Sequence, residues 1–311
     1  MKRIIVSIIV LISCQLGFAQ NVRSSPAKEI NSPNFLVHNQ LTPELIKIEY
    51  AGGVSRGRFE NESGEFIDEI GQNTFTFSGY PATLLSKEYT QIYMGFGYSK
   101  TEYTSLDNSS ELNVVRNPLE SFNVNAFVNT KIANQLYWST YVQIGVQGDN
   151  PFDEIENSHN EVFLTKVNFK ANRSFNVGLG AVYASNLGDH VVLPALAVAY
   201  STDRYLVNID FPLKAEVEGI LKDGKFRPVV GVAFPASSYY VSDTNQNFIS
   251  SGMGGYVGMR YQVLNFLYAY VGWQRGFEES FEVGSRGDIQ EFGTLTNQAR
   301  LVTSLNIQIA K

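Results

Sequence analysis

The sequence predicts an all-β protein, a transmembrane antiparallel up-and-down β-barrel of about fourteen strands, with twelve to sixteen as the range. Three observations predict it. From residue 44 onward, stretches of about ten residues alternate apolar with polar side chains, as strands with one lipid face and one polar face must. The connections between them are alternately short and long. The composition is poor in charge (17%) and rich in glycine (26), tyrosine (17) and phenylalanine (21), with no later apolar run long enough for a membrane helix.

The chain begins with a segment that belongs to export. Lys2 and Arg3 form a positive start, Ile4 to Ser13 an apolar run, and Gly17-Phe18-Ala19 a small-residue cleavage site, so residues 1–19 are expected to be a signal peptide. Leu11-Ile12-Ser13-Cys14 also has the form of a lipobox, in which Cys14 would be acylated. Cys14 is the only cysteine, so cleavage after Ala19 leaves a mature chain without thiol chemistry or disulfides. Residues 20–43 carry Pro26, Pro33 and Pro43 among polar residues and read as a periplasmic linker. The barrel is expected over 44–311.

The strand pattern is clearest around Asn134. Phe122, Val124, Ala126 and Val128 alternate with Asn123, Asn125 and Asn129; Leu136, Trp138, Thr140, Val142 and Ile144 alternate with Tyr137, Tyr141, Gln143 and Gly145. Successive strand side chains point to opposite faces, so each strand carries one apolar and one polar face. Val167 and Phe169 alternate with Lys166 and Lys170, Val177 and Leu179 with Gly178 and Gly180, and Ile209 and Phe211 with Asn208 and Asp210. Val257 and Met259 alternate with Gly258 and Arg260, and Leu301 and Leu305 with Arg300 and Asn306. Two further strands, near 74–85 and 215–222, are required to keep every short turn on one side. The short turns are Asn134-Gln135, Asn172-Arg173, Thr202-Asp203, Asp223-Gly224 and Leu264-Asn265. Segments 60–73, 101–118, 148–160, 237–250 and 276–296 read as long polar loops. Short periplasmic turns and long outer loops mark outer-membrane barrels. A soluble sandwich would also alternate, but its outer face would be charged, whereas here the non-apolar face is mostly Asn, Gln, Tyr, Ser and Gly.

The Phe-Ala-Gln end of the leader, the alternating hairpins, and Asn-Ile-Asp-Phe-Pro-Leu at 208–213 with Lys-Asp-Gly at 222–224 resemble an uncharacterised family of outer-membrane β-barrel proteins of Gram-negative bacteria. The resemblance covers 44–311 and implies a barrel without implying an activity. The chain departs from bacterial barrels generally in ending Ile-Gln-Ile-Ala-Lys, without the terminal aromatic residue that the barrel assembly machinery reads.

No catalytic constellation is legible. His38, His159 and His190 stand apart from motif partners, and Gly252–Gly258 lacks the Lys-Ser/Thr pair of a phosphate loop. The acidic loop 149–161 lacks the spacing of a calcium loop. Arg286-Gly287-Asp288 is too short to carry an adhesion role. Neither metal nor cofactor is expected, nor an enzyme. The net charge of −6 argues against nucleic acid. The expected partners are outer-membrane lipid and the assembly machinery; no soluble partner is indicated.

Function therefore rests on the two faces. Trp138, Val142, Val177, Leu179 and Leu305 are expected to face lipid. Lys166, Lys170, Asp210, Arg260 and Arg300, with Tyr137, Tyr141, Tyr268 and Tyr270, are expected to line the lumen. Cations outnumber Asp210 in that set, which predicts a preference for anions if the lumen conducts. The two readings are a narrow channel or transporter for small polar solutes, and a structural or interaction barrel that presents surface loops or anchors a periplasmic partner without transport, its inward charges pairing with one another.

Overall fold

A computed structural model describes residues 45–307 apart from 87–88, 106–116, 154, 173, 186–189, 222–223, 265 and 286–287. The leader, the linker, Arg286-Gly287 and the chain end beyond Ile307 lie outside the described residues. The strands are β1 (Ile46–Ser55), β2 (Gly57–Glu60), β3 (Phe66–Ser86), β4 (Thr90–Ser105), β5 (Leu119–Ala133), β6 (Leu136–Gly148), β7 (His159–Lys170), β8 (Phe175–Ala184) and β9 (Val191–Ser201). They continue with β10 (Tyr205–Phe211), β11 (Lys214–Gly219), β12 (Phe226–Ala233), β13 (Ala236–Val241), β14 (Gln246–Leu264), β15 (Leu267–Ser285), β16 (Asp288–Thr296) and β17 (Ala299–Ile307). One short helix, α1 (Ile155–Ser158), precedes β7.

Fourteen of these strands close a ring: β1, β3 to β12, β14, β15 and β17. Each pairs antiparallel with the next, and β17 returns to β1 with Ile307 opposite Ile46. The outer surface is a band of exposed apolar side chains. Leu179 is 67% exposed, and Val257, Val271 and Leu305 share its outward direction. Trp138, Val142 and Val177 are half-buried on the same outer face, and Trp138 Nε1 donates to Thr165 Oγ1 at 2.7 Å. Closure joins the last strand to the first, as a bilayer demands because it offers no water to an unpaired backbone. The short turns and both described chain ends lie at one end of the ring, the periplasmic end of an outer-membrane barrel.

At the other end the structure departs from the sequence reading. Three segments read as polar loops, 60–73, 237–250 and 276–296, largely form strands. β1 runs on into β2, β16 leads into β17, and β12 leads into β13. A bulge at Gly53/Ser55 interrupts the β1–β17 ladder, and Asn297 sits in the left-handed region at φ 61° where β16 meets β17. β13 crosses the opening to β6, where Tyr240 faces Gly148 in the one parallel pairing among the described strands. This gathers β2, β3 to β6 and β13 to β16 into a second, narrower ring above the first. Asp149 latches it: its backbone N–H donates to Tyr240 O at 3.1 Å, and its carboxylate accepts from Ser242 N–H and Oγ at 3.0 Å each.

The alternation inverts in this upper ring. Arg58 and Glu60 pair on the outside at 2.6 Å while Phe59 between them is fully buried. Above the bilayer the outer face meets water, so polar residues turn outward and apolar ones inward. A reading that assigns the apolar side to lipid everywhere sees these segments as loops.

Candidate functional site

The site is the interior, and it has two layers. The upper layer is an apolar seal. Phe59, Ile70, Leu119, Tyr239, Val241, Phe248, Phe281 and Leu295 form one buried cluster from seven strands. The Phe248 and Phe281 rings stack with centroids 5.2 Å apart, and Tyr103 meets each of them edge-on at 5.8 Å. Glu279 lies at the edge of this layer and accepts from Ser250 Oγ at 2.5 Å.

The lower layer is polar and divides by side. On β10 to β15 the wall carries charge. The buried Glu218 accepts from Arg227 Nη1 at 3.1 Å and from Arg260 Nη1, and Arg227 and Arg260 stand directly opposite each other in the β12–β14 ladder. Glu216 accepts from Lys214 Nζ at 3.2 Å and from Tyr256 OH at 2.9 Å. Arg227 also lies over the Tyr268 ring, 5.7 Å from its centroid. Tyr270, opposite Arg260, occupies the space left by Gly258 and Gly272; a Cβ on Gly258 would come within 2.6 Å of its ring.

On β3 to β7 the wall is mainly amide, hydroxyl and tyrosine. Tyr141 donates to Gln143 Oε1 at 2.6 Å and interacts with Tyr80, which reaches over Gly95 from β3. Ser139 donates to Asn129 Oδ1 at 3.1 Å and accepts from Asn168 Nδ2 at 2.9 Å. Lys166 joins the two sides. Its Nζ crosses Gly180, where a Cβ would lie 2.6 Å from Lys166 Cβ, to reach Asp210 Oδ1 at 2.8 Å.

The sequence-predicted residues thus fall unevenly. Lys166 and Asp210 are brought together; Arg260 and Tyr270 share the charged wall with Tyr268. Arg300 donates to Gln72 Oε1 at 2.7 Å near the seal. Lys170 and Tyr137 lie on β7 and β6 toward the short-turn end, apart from these groups. The sequence reading missed Glu216, Glu218 and Arg227, although Glu216 and Glu218 alternate within the expected strand at 215–222 and Lys214 continues the alternation just before it. Their carboxylates pair with Lys214, Arg227 and Arg260, so these charges of the wall meet counter-charges within it. Of the loop acids, Asp149 serves the latch and Asp153 accepts from Asn150 Nδ2 at 2.6 Å. Among the described residues no group of acidic or histidine side chains is placed to hold a metal.

Several inward amides are buried yet bonded to nothing in the protein through at least one polar atom: Asn125 Oδ1, Gln147 Oε1, Asn306 Oδ1, and both Oδ1 and Nδ2 of Asn160. Burying such an atom without a partner costs about 1–3 kcal/mol, a cost that a bound water would offset.

A closed ring of antiparallel strands with an apolar outer band and a polar interior defines an outer-membrane β-barrel protein. The chain belongs to a domain family of unknown function, DUF6268, which matches residues 40–265. No curated protein matches the sequence. Among solved structures the chain is similar in fold to the COG4313 outer membrane channel from Pseudomonas putida F1 (TM-score 0.48, 10% identity, 92% of this chain and 100% of that one). It is also similar to the toluene transporter TodX of P. putida (TM-score 0.40, 11% identity, 91% and 94%). The translocator domain of the autotransporter NalP from Neisseria meningitidis is a third (TM-score 0.36, 9% identity, 91% and 100%).

Proposed function

We propose that the barrel is a narrow transport protein for small polar solutes, and that its interior is wet. One observation carries this: the unpartnered amide atoms of Asn125, Gln147, Asn160 and Asn306. A barrel filled only to anchor its loops gains stability by bonding or omitting such groups, whereas a solute path keeps them available. The charges in the wall are paired across it, so selection in this reading is by hydrogen bonding more than by net charge. The apolar seal favours the second reading, a closed anchor, because it fills the outer end of the axis.

The two readings separate in reconstituted membranes. The transport reading expects vesicles holding the purified protein to take up a small neutral sugar such as glucose, with small conductance steps in planar bilayers. The absence of flux and current, both in the native protein and after the seal is opened by substitution, would overturn it. Insertion by the assembly machinery belongs to the same proposal, and depletion of that machinery should leave the chain unfolded in the periplasm.

A further inference from the structure

The lower ring is not equally tall all round. β9 pairs with β8 along its whole length, from Val191 opposite Ala184 to Tyr200 opposite Phe175. It pairs with β10 only from Leu196, opposite Phe211, to Ser201. The β10–β11 hairpin turns at Phe211-Pro212-Leu213 and descends, with Lys214 opposite Asp210. Val191 to Ala195 therefore have no ladder partner on the β10 side among the described residues. At about 3.4 Å per residue this leaves roughly 17 Å of free edge. β12 passes the other flank of the hairpin and becomes β13, which leaves the wall for β6. Among the described residues the wall therefore has a gap, bounded below by the hairpin tip and on one side by the β9 edge, with β13 leaving the wall above it.

An unpaired edge is expensive inside a bilayer and is normally paired, covered or twisted away. Pro194, which has no N–H to leave unpaired, stands in this one. The surroundings of the gap are apolar on both faces. Outside, Val192, Phe211, Leu213 and Phe234 are exposed. Inside, Leu164, Val182 and Ala195 form a buried cluster against Val162 and Tyr141. Two residues above Val162 on the same inner face comes Asn160, 2% exposed, with both amide atoms unpartnered. The charged groups at the foot of the gap are already matched, Lys166 with Asp210 and Lys214 with Glu216.

We propose that this gap is a lateral port, through which small neutral amphiphiles pass between the outer leaflet and the lumen. The apolar body enters from lipid past Phe211 and Leu213 and lies on Leu164, Val182 and Ala195. The uncharged head meets the Asn160 amide, which can donate and accept. A charged head finds no free counter-charge there. The port deepens the transport reading: it supplies an entrance that the seal denies along the axis.

The test uses cysteine chemistry, since the described residues hold no cysteine. Ala195→Cys and Leu193→Cys, placed on the β9 edge, are reconstituted in phosphatidylcholine vesicles and treated with pyrene maleimide, which partitions into the bilayer. Leu193→Cys should label at a rate approaching that of the lipid-facing Leu179→Cys, and Ala195→Cys, in the inner cluster, more slowly but measurably, while Ser139→Cys, buried deep in the wall, should not. Hexyl glucoside should slow labelling of Ala195→Cys several-fold and leave Leu179→Cys unchanged; glucose should slow neither. No labelling of either edge cysteine, a disulfide-linked dimer in place of the adduct, or equal protection by glucose overturns the port. Labelling with the expected protection but without glucose flux or conductance would sink the polar-solute reading and leave the port standing. Glucose flux with unlabelled edge cysteines would do the reverse.

Discussion

Phe281→Ala tests the seal most directly. The ring is fully buried and stacked on Phe248 at 5.2 Å, with Tyr103 at 5.8 Å and Phe59 at 6.0 Å. These neighbours come from three other strands, each held by its own ladder, so the space left by the ring cannot collapse readily. Such a truncation costs about 3–5 kcal/mol. The lower ring, fixed in lipid, should not feel this loss, and it should appear as local opening of the upper ring. At about 1.4 kcal/mol per tenfold, amide hydrogen exchange in β15 and β16 should accelerate a hundredfold or more, with β7 and β8 unchanged. The same variant should raise planar-bilayer conductance, and adding Phe248→Ala should raise it further. Exchange accelerated less than about tenfold would show that the cluster is not the packed unit described here. Normal acceleration with unchanged conductance would show that these rings do not block the axis.

Three other perturbations probe the wall. Glu218→Gln should lower stability in urea by about 3–5 kcal/mol, because it leaves Arg227 and Arg260 facing each other without their shared carboxylate; a loss under about 1 kcal/mol would mean that water already screens the pair. Asp210→Asn removes the partner of the buried Lys166 but sits in a more exposed place, so about 1–2 kcal/mol is expected after discounting for solvent. Val142→Arg should cost about 2–4 kcal/mol of folding stability in lipid while Gln143→Arg is tolerated better; equal damage from both would refute the facing of β6.

What the sequence disclosed follows from what its patterns depend on. The period-2 alternation of 136–147 and 299–307 depends only on a strand having two unlike faces, and those strands stand close to where the pattern puts them. The upper ring was illegible for a physical reason: Arg58, Glu60, Glu278 and Glu282 are charged because that part of the outer face is wet, and charge among aromatics looks like a loop. The β13–β6 pairing joins residues 240 and 148, and no local pattern encodes a contact so distant in sequence. The site was half legible. Lys166 and Asp210 were picked by alternation alone, but their pairing depends on Gly180 leaving the route across β8 clear. Glu216 and Glu218 lay in plain alternation, in a strand too short to announce itself.

That shortness links fold to function. A hairpin built to complete the wall would carry β10 and β11 upward along Val191 to Ala195, with alternating apolar residues to cover them. Instead the sequence turns at Pro212, and the next inward residue is Lys214, which pairs with Glu216. The chain thus closes its axis with phenylalanine and leaves its side wall low, the reverse of what an open aqueous pore requires. A structural anchor would need the seal, but nothing in an anchor calls for an unpaired strand edge beside an amide with no partner. The two features together are accounted for if solutes reach the polar interior from the side, and the labelling of Ala195→Cys against Ser139→Cys decides whether they do.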